Sequence, residues 1–133
     1  MQNLKDLELL IKSPTPIIII ESREENRVMS LFDHVASRTR KPLYRWTVTE
    51  GLHRLDVNEP ANLYESKPVE LLTQIKLTSS GGIYLLLDFH PYLDDPIHVR
   101  LLKDIAQKYV DVPHTLVLIS LELNVPKELE RPP

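Results

Sequence analysis

Four isoleucines in succession, Ile17 to Ile20, constrain the fold of this chain more than any other feature of its sequence. Successive side chains of a strand point to opposite faces, so an unbroken β-branched run needs apolar cover above and below. A buried helix of four residues would be too short to serve, and the run reads as a central strand of a parallel sheet. Ile83-Tyr84-Leu85-Leu86-Leu87-Asp88 and Thr115 to Leu121 repeat the pattern. Leu43 to Val48, rich in β-branched and aromatic residues, adds a further strand.

Helical patterns separate the four strands. Ser22-Arg23-Glu24-Glu25 has the spacing of a capping box, with Ser22 accepting from the Glu25 N–H and the Glu25 carboxylate returning to the Ser22 N–H. Behind it Val28, Leu31, Phe32 and Val35 share one helical face, and the basic Arg38, Arg40 and Lys41 suit the C-terminal end. Pro68 suits the first turn of a second helix, with Val69, Leu71, Leu72 and Ile75 on its apolar side. Asp95, followed by Pro96, caps a third helix whose stripe is Leu101, Leu102, Ile105, Ala106 and Tyr109. A short helix with Leu4, Leu7, Leu10 and Ile11, capped at Asn3, precedes the first strand and ends at Ser13-Pro14-Thr15-Pro16. Thr49 to Lys67, polar and containing Pro60, reads as a long connection.

The expected fold is therefore α/β and three-layered, with a mostly parallel four-stranded sheet, helices on both faces and one strand fewer than the usual five. Residues 1–133 are expected to form a single domain, with 122–133 as a linker. The ending Arg131-Pro132-Pro133 reads as a break in a longer protein.

Composition narrows the function classes. The chain has three glycines, Gly51, Gly81 and Gly82, against eleven prolines. A phosphate loop needs several glycines at fixed spacing so that backbone N–H groups can converge on the anion, and three scattered glycines cannot supply one. There is no cysteine, hence no disulfide and no zinc-thiolate or thiol chemistry. No apolar run approaches the roughly 18 residues of a membrane span. Basic residues alternate with acidic ones and the net charge is −3, so nothing favours nucleic acid. A cytoplasmic location without membrane attachment is expected.

In an open α/β sheet, ligands bind beyond the carboxyl ends of the strands. At the first such end, Glu21, Glu24 and Glu25 stand where G-x-x-x-x-G-K-[ST] would hold phosphate; they oppose anion binding and are read as capping residues. At the third, Asp88, His90, Asp94, Asp95 and His98 fall close together, but at no recognised metal-ligand spacing. Asp94 and Asp95 are read as capping residues and His98 as a surface residue. The apolar run ending in Asp88 is like a Walker B strand, whose Asp organises Mg²⁺ and whose next residue activates water. Phe89 occupies that next position and can neither orient water nor accept a proton. No catalytic, cofactor-binding or metal-ligating residue is assigned, and Asp88 is at most a vestige. Trp46 is expected to pack on a helix, but Trp46, Glu50, Phe89 and His90 form a possible interaction surface at the strand ends.

Three stretches together resemble a known family: Trp46-Thr47-Val48-Thr49-Glu50-Gly51-Leu52, Leu86-Leu87-Asp88-Phe89-His90-Pro91-Tyr92-Leu93-Asp94-Asp95-Pro96, and Thr115 to Ser120 leading into Leu123-Asn124-Val125-Pro126-Lys127-Glu128-Leu129. The chain looks like the N-terminal domain of AAA+ ATPases found in bacteria, cyanobacteria included, and as an uncharacterised reading frame of algal chloroplast genomes. The resemblance implies a degenerate AAA-like domain, strand order 2-3-4-1, ahead of a working ATPase module that binds ATP and Mg²⁺ and through which homo-oligomers form. It implies no cofactor in this part of the protein. Asp88 matches the Walker B aspartate, Ser120 lies near the polar sensor position, and Val125 to Leu129 is similar to a Leu-Pro-x-Glu-Leu segment. The phosphate loop and the catalytic glutamate are the departures. The function implied is non-catalytic regulation or assembly of that module, its partner; the alternative is a stand-alone module that binds a protein or peptide. An enzyme or metal protein using Asp88, His90 and Asp94 is a third reading, set aside because no motif has catalytic spacing.

Overall fold

A computed structural model describes residues 9–13, 15–58, 66–121 and 127–129. Asn3, Leu4, Leu7, Pro14, Pro60, Leu123 to Pro126 and Arg131 to Pro133 lie outside these described residues. The elements are β1 (Ile17–Glu21), α1 (Glu25–Thr39), β2 (Leu43–Thr47), β3 (Gly51–Arg54), α2 (Pro68–Leu77), β4 (Ile83–Leu87), a 3-10 helix (His90–Asp94), α3 (Pro96–Gln107), β5 (Thr115–Ser120) and a 3-10 turn (Lys127–Leu129). Residues 9–12 are also helical, with Ile11 buried.

One sheet runs in the order β1-β5-β4-β2-β3. Its four parallel strands follow the expected 2-3-4-1 order, counted without β3 and read from the opposite edge. The difference is a fifth strand. β3 pairs antiparallel with β2, Trp46 opposite Leu52 and Thr47 opposite Gly51, within the stretch expected to be a connection. Gly51 takes φ 72, a left-handed conformation that glycine adopts without steric cost, and this lets the chain turn back. Asp56 then fastens the hairpin: its Oδ1 accepts from the Leu43 N–H at 3.1 Å and from Arg54 Nε at 2.9 Å. These bonds, that from Arg54 first, hold its carboxyl below the usual range.

The isoleucine run sits at an edge, as the order implied by the resemblance has it, and not at the centre, where its unbroken apolar pattern alone would put it. β1 is an edge strand, in which Ile17 and Ile18 are buried while Ile19 is 38% exposed. The central strands are β4 and β5, buried at every position. Their alternate side chains supply two cores. Tyr84, Leu86, Leu116 and Leu118 meet α2 and α3 on one face, while Ile83, Leu85, Val117 and Ile119 meet α1 on the other.

The helices bury the faces their spacing predicts, through Val28, Phe32 and Val35 of α1, Leu72 and Ile75 of α2, and Leu102 and Ile105 of α3. Val69 is the exception, 40% exposed. Asp95 caps α3, its Oδ1 accepting from the Ile97 N–H at 2.8 Å. The capping box at α1 does not form. The helix begins at Glu25 with Glu24 as its N-cap, and Ser22 Oγ accepts from the Glu24 N–H at 3.0 Å, a turn one residue too early to close the box. Within the segment expected to be a linker, Leu129 is 5% exposed and joins the α2/α3 core, while Lys103 pairs with Glu128 at 3.3 Å.

Candidate functional site

The carboxyl ends of β1, β4 and β5 open onto a cleft of about 490 Å³ lined by Ser22, Arg23, Glu25, Asp88, Ile119, Ser120 and Leu121. Ser22 N–H donates to the Ser120 carbonyl at 2.9 Å and Asp88 N–H to the Ile119 carbonyl at 2.9 Å, which ties the three strand ends together. Asp88 is exposed and takes φ 55, a left-handed conformation in which a residue with a Cβ is strained, aspartate less than most. It is the turn by which the chain leaves β4 and enters the 3-10 helix.

That turn carries His90 back over the sheet, where its Nδ1 lies 3.0 Å from Ser120 Oγ. Ser120 is buried, at 2% exposure, so its hydroxyl is satisfied by the imidazole and held away from solvent. The pair joins the 3-10 helix to the end of β5. Nothing in the sequence pattern joins these residues, which are 30 positions apart.

On the β1 to α1 side, the turn lacks the features of a phosphate cradle. The Glu24 N–H, which would have to face an anion, is taken by Ser22 Oγ. Glu24 itself pairs with Arg27 at 3.0 Å, and Glu25 lines the cleft in the first helical turn. The lining thus sets the carboxylates of Glu25 and Asp88 against the single guanidinium of Arg23. Its balance favours neither phosphate nor nucleotide.

Two of the four residues expected at an interaction surface lie in the interior. Trp46 and Phe89 are fully buried, with ring centroids 5.5 Å apart, and Tyr92 meets each of them at 6.1 and 5.5 Å. An indole and a phenyl ring bury a large apolar area, which the α2/α3 core takes up. Glu50 is exposed and His90 half-buried. His98, expected on the surface, is also buried: its Nδ1–H donates to the Tyr92 carbonyl at 2.8 Å and its ring packs edge-on to Phe89 and Tyr92. Its place on the first turn of α3 hid this, because the short 3-10 helix just before α3 was not expected to fold over it. Among the described residues no three or more His, Asp and Glu side chains converge as a metal site would require. No described helix is long and apolar enough to cross a membrane.

Residues 3–132 match the family described as SpoVK-like AAA ATPase, N-terminal domain. The chain is 32% identical over 130 residues to an "Uncharacterized AAA domain-containing protein ycf46" of Trieres chinensis, covering 94% of this chain and 25% of that protein. The protein of the same name in Guillardia theta is 33% identical over 133 residues, 97% of this chain and 26% of its own. That of Pyropia yezoensis is 28% identical over 131 residues, 95% of this chain and 26% of its own. The chain thus spans about a quarter of the length of these relatives. No solved structure matches it.

Proposed function

Because this chain belongs to the family of SpoVK-like AAA ATPase N-terminal domains, we propose that it is a non-catalytic regulatory or assembly domain for an ATP-hydrolysing module elsewhere in a longer protein. ATP and Mg²⁺ belong to that module, which is also the domain's partner and the seat of any ring or other homo-oligomer it builds. A cytoplasmic setting suits a chain without cysteine.

The carrying observation is the state of the strand-end cleft. An ATP site on this topology needs convergent backbone amides at the start of α1, a metal-organising aspartate after β4 and a water-activating residue beside it. Here the first has become Ser22-Arg23-Glu24, its Glu24 amide already bonded and its flank acidic. The second survives as Asp88, and the third is the buried Phe89. A sheet that retains the architecture without the chemistry is suited to binding and positioning.

Isothermal calorimetry of the 133-residue chain with Mg-ATP tests this, together with a phosphate-release assay. The expected result is no binding heat at tens of micromolar protein and no turnover above buffer. Micromolar affinity for Mg-ATP would sink the proposal.

A further inference from the structure

The connection from α2 to β4 is fastened by a histidine of another element. His114 stands just before β5, 3% exposed, and its Nε2 lies 3.0 Å from the carbonyl of Thr78, the C-cap of α2. A carbonyl only accepts, so Nε2 carries the proton and donates it, and Nδ1 keeps a lone pair. That Nδ1 is buried without a hydrogen-bond partner among the described residues. The ring stands edge-on to Tyr84, with centroids 5.3 Å apart.

Little else holds the connection. The Thr78 N–H and Oγ1 donate back into α2, to the Ile75 and Gln74 carbonyls, and Ser79 and Ser80 are exposed. Gly82 is fixed through its carbonyl, which accepts from the Thr115 N–H at 2.8 Å. Among the described residues, the bond from His114 is thus the side-chain hydrogen bond that ties residues 78–81 to the sheet.

We propose that His114 is an acid-released latch: a second proton on its ring frees Thr78 and lets residues 78–81 lift away while β4 and β5 stay paired. That proton gives Nδ1 an N–H that has no acceptor and gives the ring a charge that has no counter-ion, and both are costly when buried. The Ile75 and Thr78 carbonyls at the helix end favour the cation, but burial outweighs them and lowers the pKa from 6.5. The neighbouring ionisable side chains do not compensate. Lys76 of α2 pairs with Asp104 of α3 at 3.1 Å, and Arg100 takes the other Asp104 oxygen at 2.9 Å. Lys108 and Asp111, on the turn before His114, are exposed, and β4 and β2 present the stacked rings of Tyr84 and Tyr44.

The segment that moves is the one less firmly held. The turn leading to His114 is anchored by the Tyr109 hydroxyl, which donates to the Ser13 carbonyl at 3.2 Å, and by the Val112 N–H, which donates to the Lys108 carbonyl at 2.8 Å. On the other side Gly81 and Gly82 supply the backbone freedom of a hinge. The latch lies inside the domain and is independent of the proposed role beside an ATPase module, since either can hold without the other.

Once released, His114 takes up a proton at the ordinary 6.5, so the open population grows as the pH falls from there toward the lowered value of the closed state. Between pH 7.5 and 5 the ceiling is about 30-fold. Hydrogen exchange of the 133-residue chain, followed by NMR and corrected for the intrinsic pH dependence of exchange, tests this. The Leu77 and Thr78 amides, in the last turn of α2, should lose protection several-fold at pH 5, while those of Leu85 to Leu87 and Leu116 to Ile119 keep theirs. In His114→Gln, whose carboxamide can donate to Thr78 but does not titrate, the Leu77 and Thr78 amides should not respond. A change below twofold, an equal loss throughout β4 and β5, or the same response in His114→Gln overturns the proposal. Should that variant not fold, the unaltered chain still decides: the His114 ring nitrogens and the amides of Ser79 to Gly81 must titrate with one midpoint, and separate midpoints overturn it.

Discussion

The two ends of the sheet are built on opposite terms. At the carboxyl end, where a ligand would bind in this architecture, Asp88 and Glu25 face solvent around an open cleft. At the amino end the polar groups are enclosed. His114 is 3% exposed, with Nε2 bonded to the Thr78 carbonyl at 3.0 Å and its ring edge-on to Tyr84, which stacks on Tyr44 at 4.5 Å. Among the described residues, His114 Nδ1 and Thr115 Oγ1 are buried without a hydrogen-bond partner. The contrast lies in the polar groups: those lining the cleft at the carboxyl end are open to solvent, while His114 and Thr115 at the amino end are enclosed by close packing.

Substitutions can break or sharpen that contrast. The largest effect is expected at Gly81, where a Cβ would come within 2.8 Å of the Pro113 side chain and of its carbonyl oxygen. Gly81→Ala should cost about 1–3 kcal/mol in chemical denaturation, the usual penalty of overpacking. An unchanged midpoint would mean that the amino end yields more readily than its contacts imply.

His114 comes next. Burial pushes its pKa below the ordinary 6.5, outweighing the hydrogen bond to Thr78 that acts the other way. The unfolded chain therefore binds a proton that the folded one refuses. Stability is fully present above pH 6.5 and declines as the pH falls from there toward the lowered folded pKa. Denaturation midpoints between pH 7.5 and 5 should show that decline, and His114→Gln should flatten it. Asp56 and Asp104, whose pKa values lie below the ordinary 3.8, lose their contributions only at more acidic pH, so they do not mask it.

The smallest effect, of opposite sign, belongs to the carboxyl end. Asp88→Gly removes a Cβ from a left-handed backbone and should raise stability by about 0.5–1 kcal/mol. A loss instead would show that the Asp88 carboxylate supports its surroundings and that the two ends differ less than they appear.

Much of the fold was legible along the chain because it depends on local spacing. The buried faces of α1 and α3 follow from residues three and four apart, and the Asp95-Pro96 cap needs no distant partner. β3 was not legible. Gly51-Leu52-His53-Arg54 contains no β-branched residue and one large apolar side chain, so it forms a strand only because β2 offers it an edge. Around the candidate site, the missing phosphate loop and Phe89 could be read directly. The burial of Trp46 matches the expectation that it packs on a helix; that of Phe89 and His98 could not be read, since it depends on how the 3-10 helix folds over the sheet end.

By itself, then, the sequence determined the α/β class and the parallel strands, through unbroken apolar runs alternating with amphipathic helices. Its scarcity of glycine ruled out a phosphate loop, because the backbone geometry of such a loop is a local demand. Tertiary structure alone decided that β3 extends the sheet beyond β2 and that His90 reaches Ser120. Strand order and burial come from pairings between residues distant in sequence, and a side chain's periodicity cannot say which neighbour will cover it.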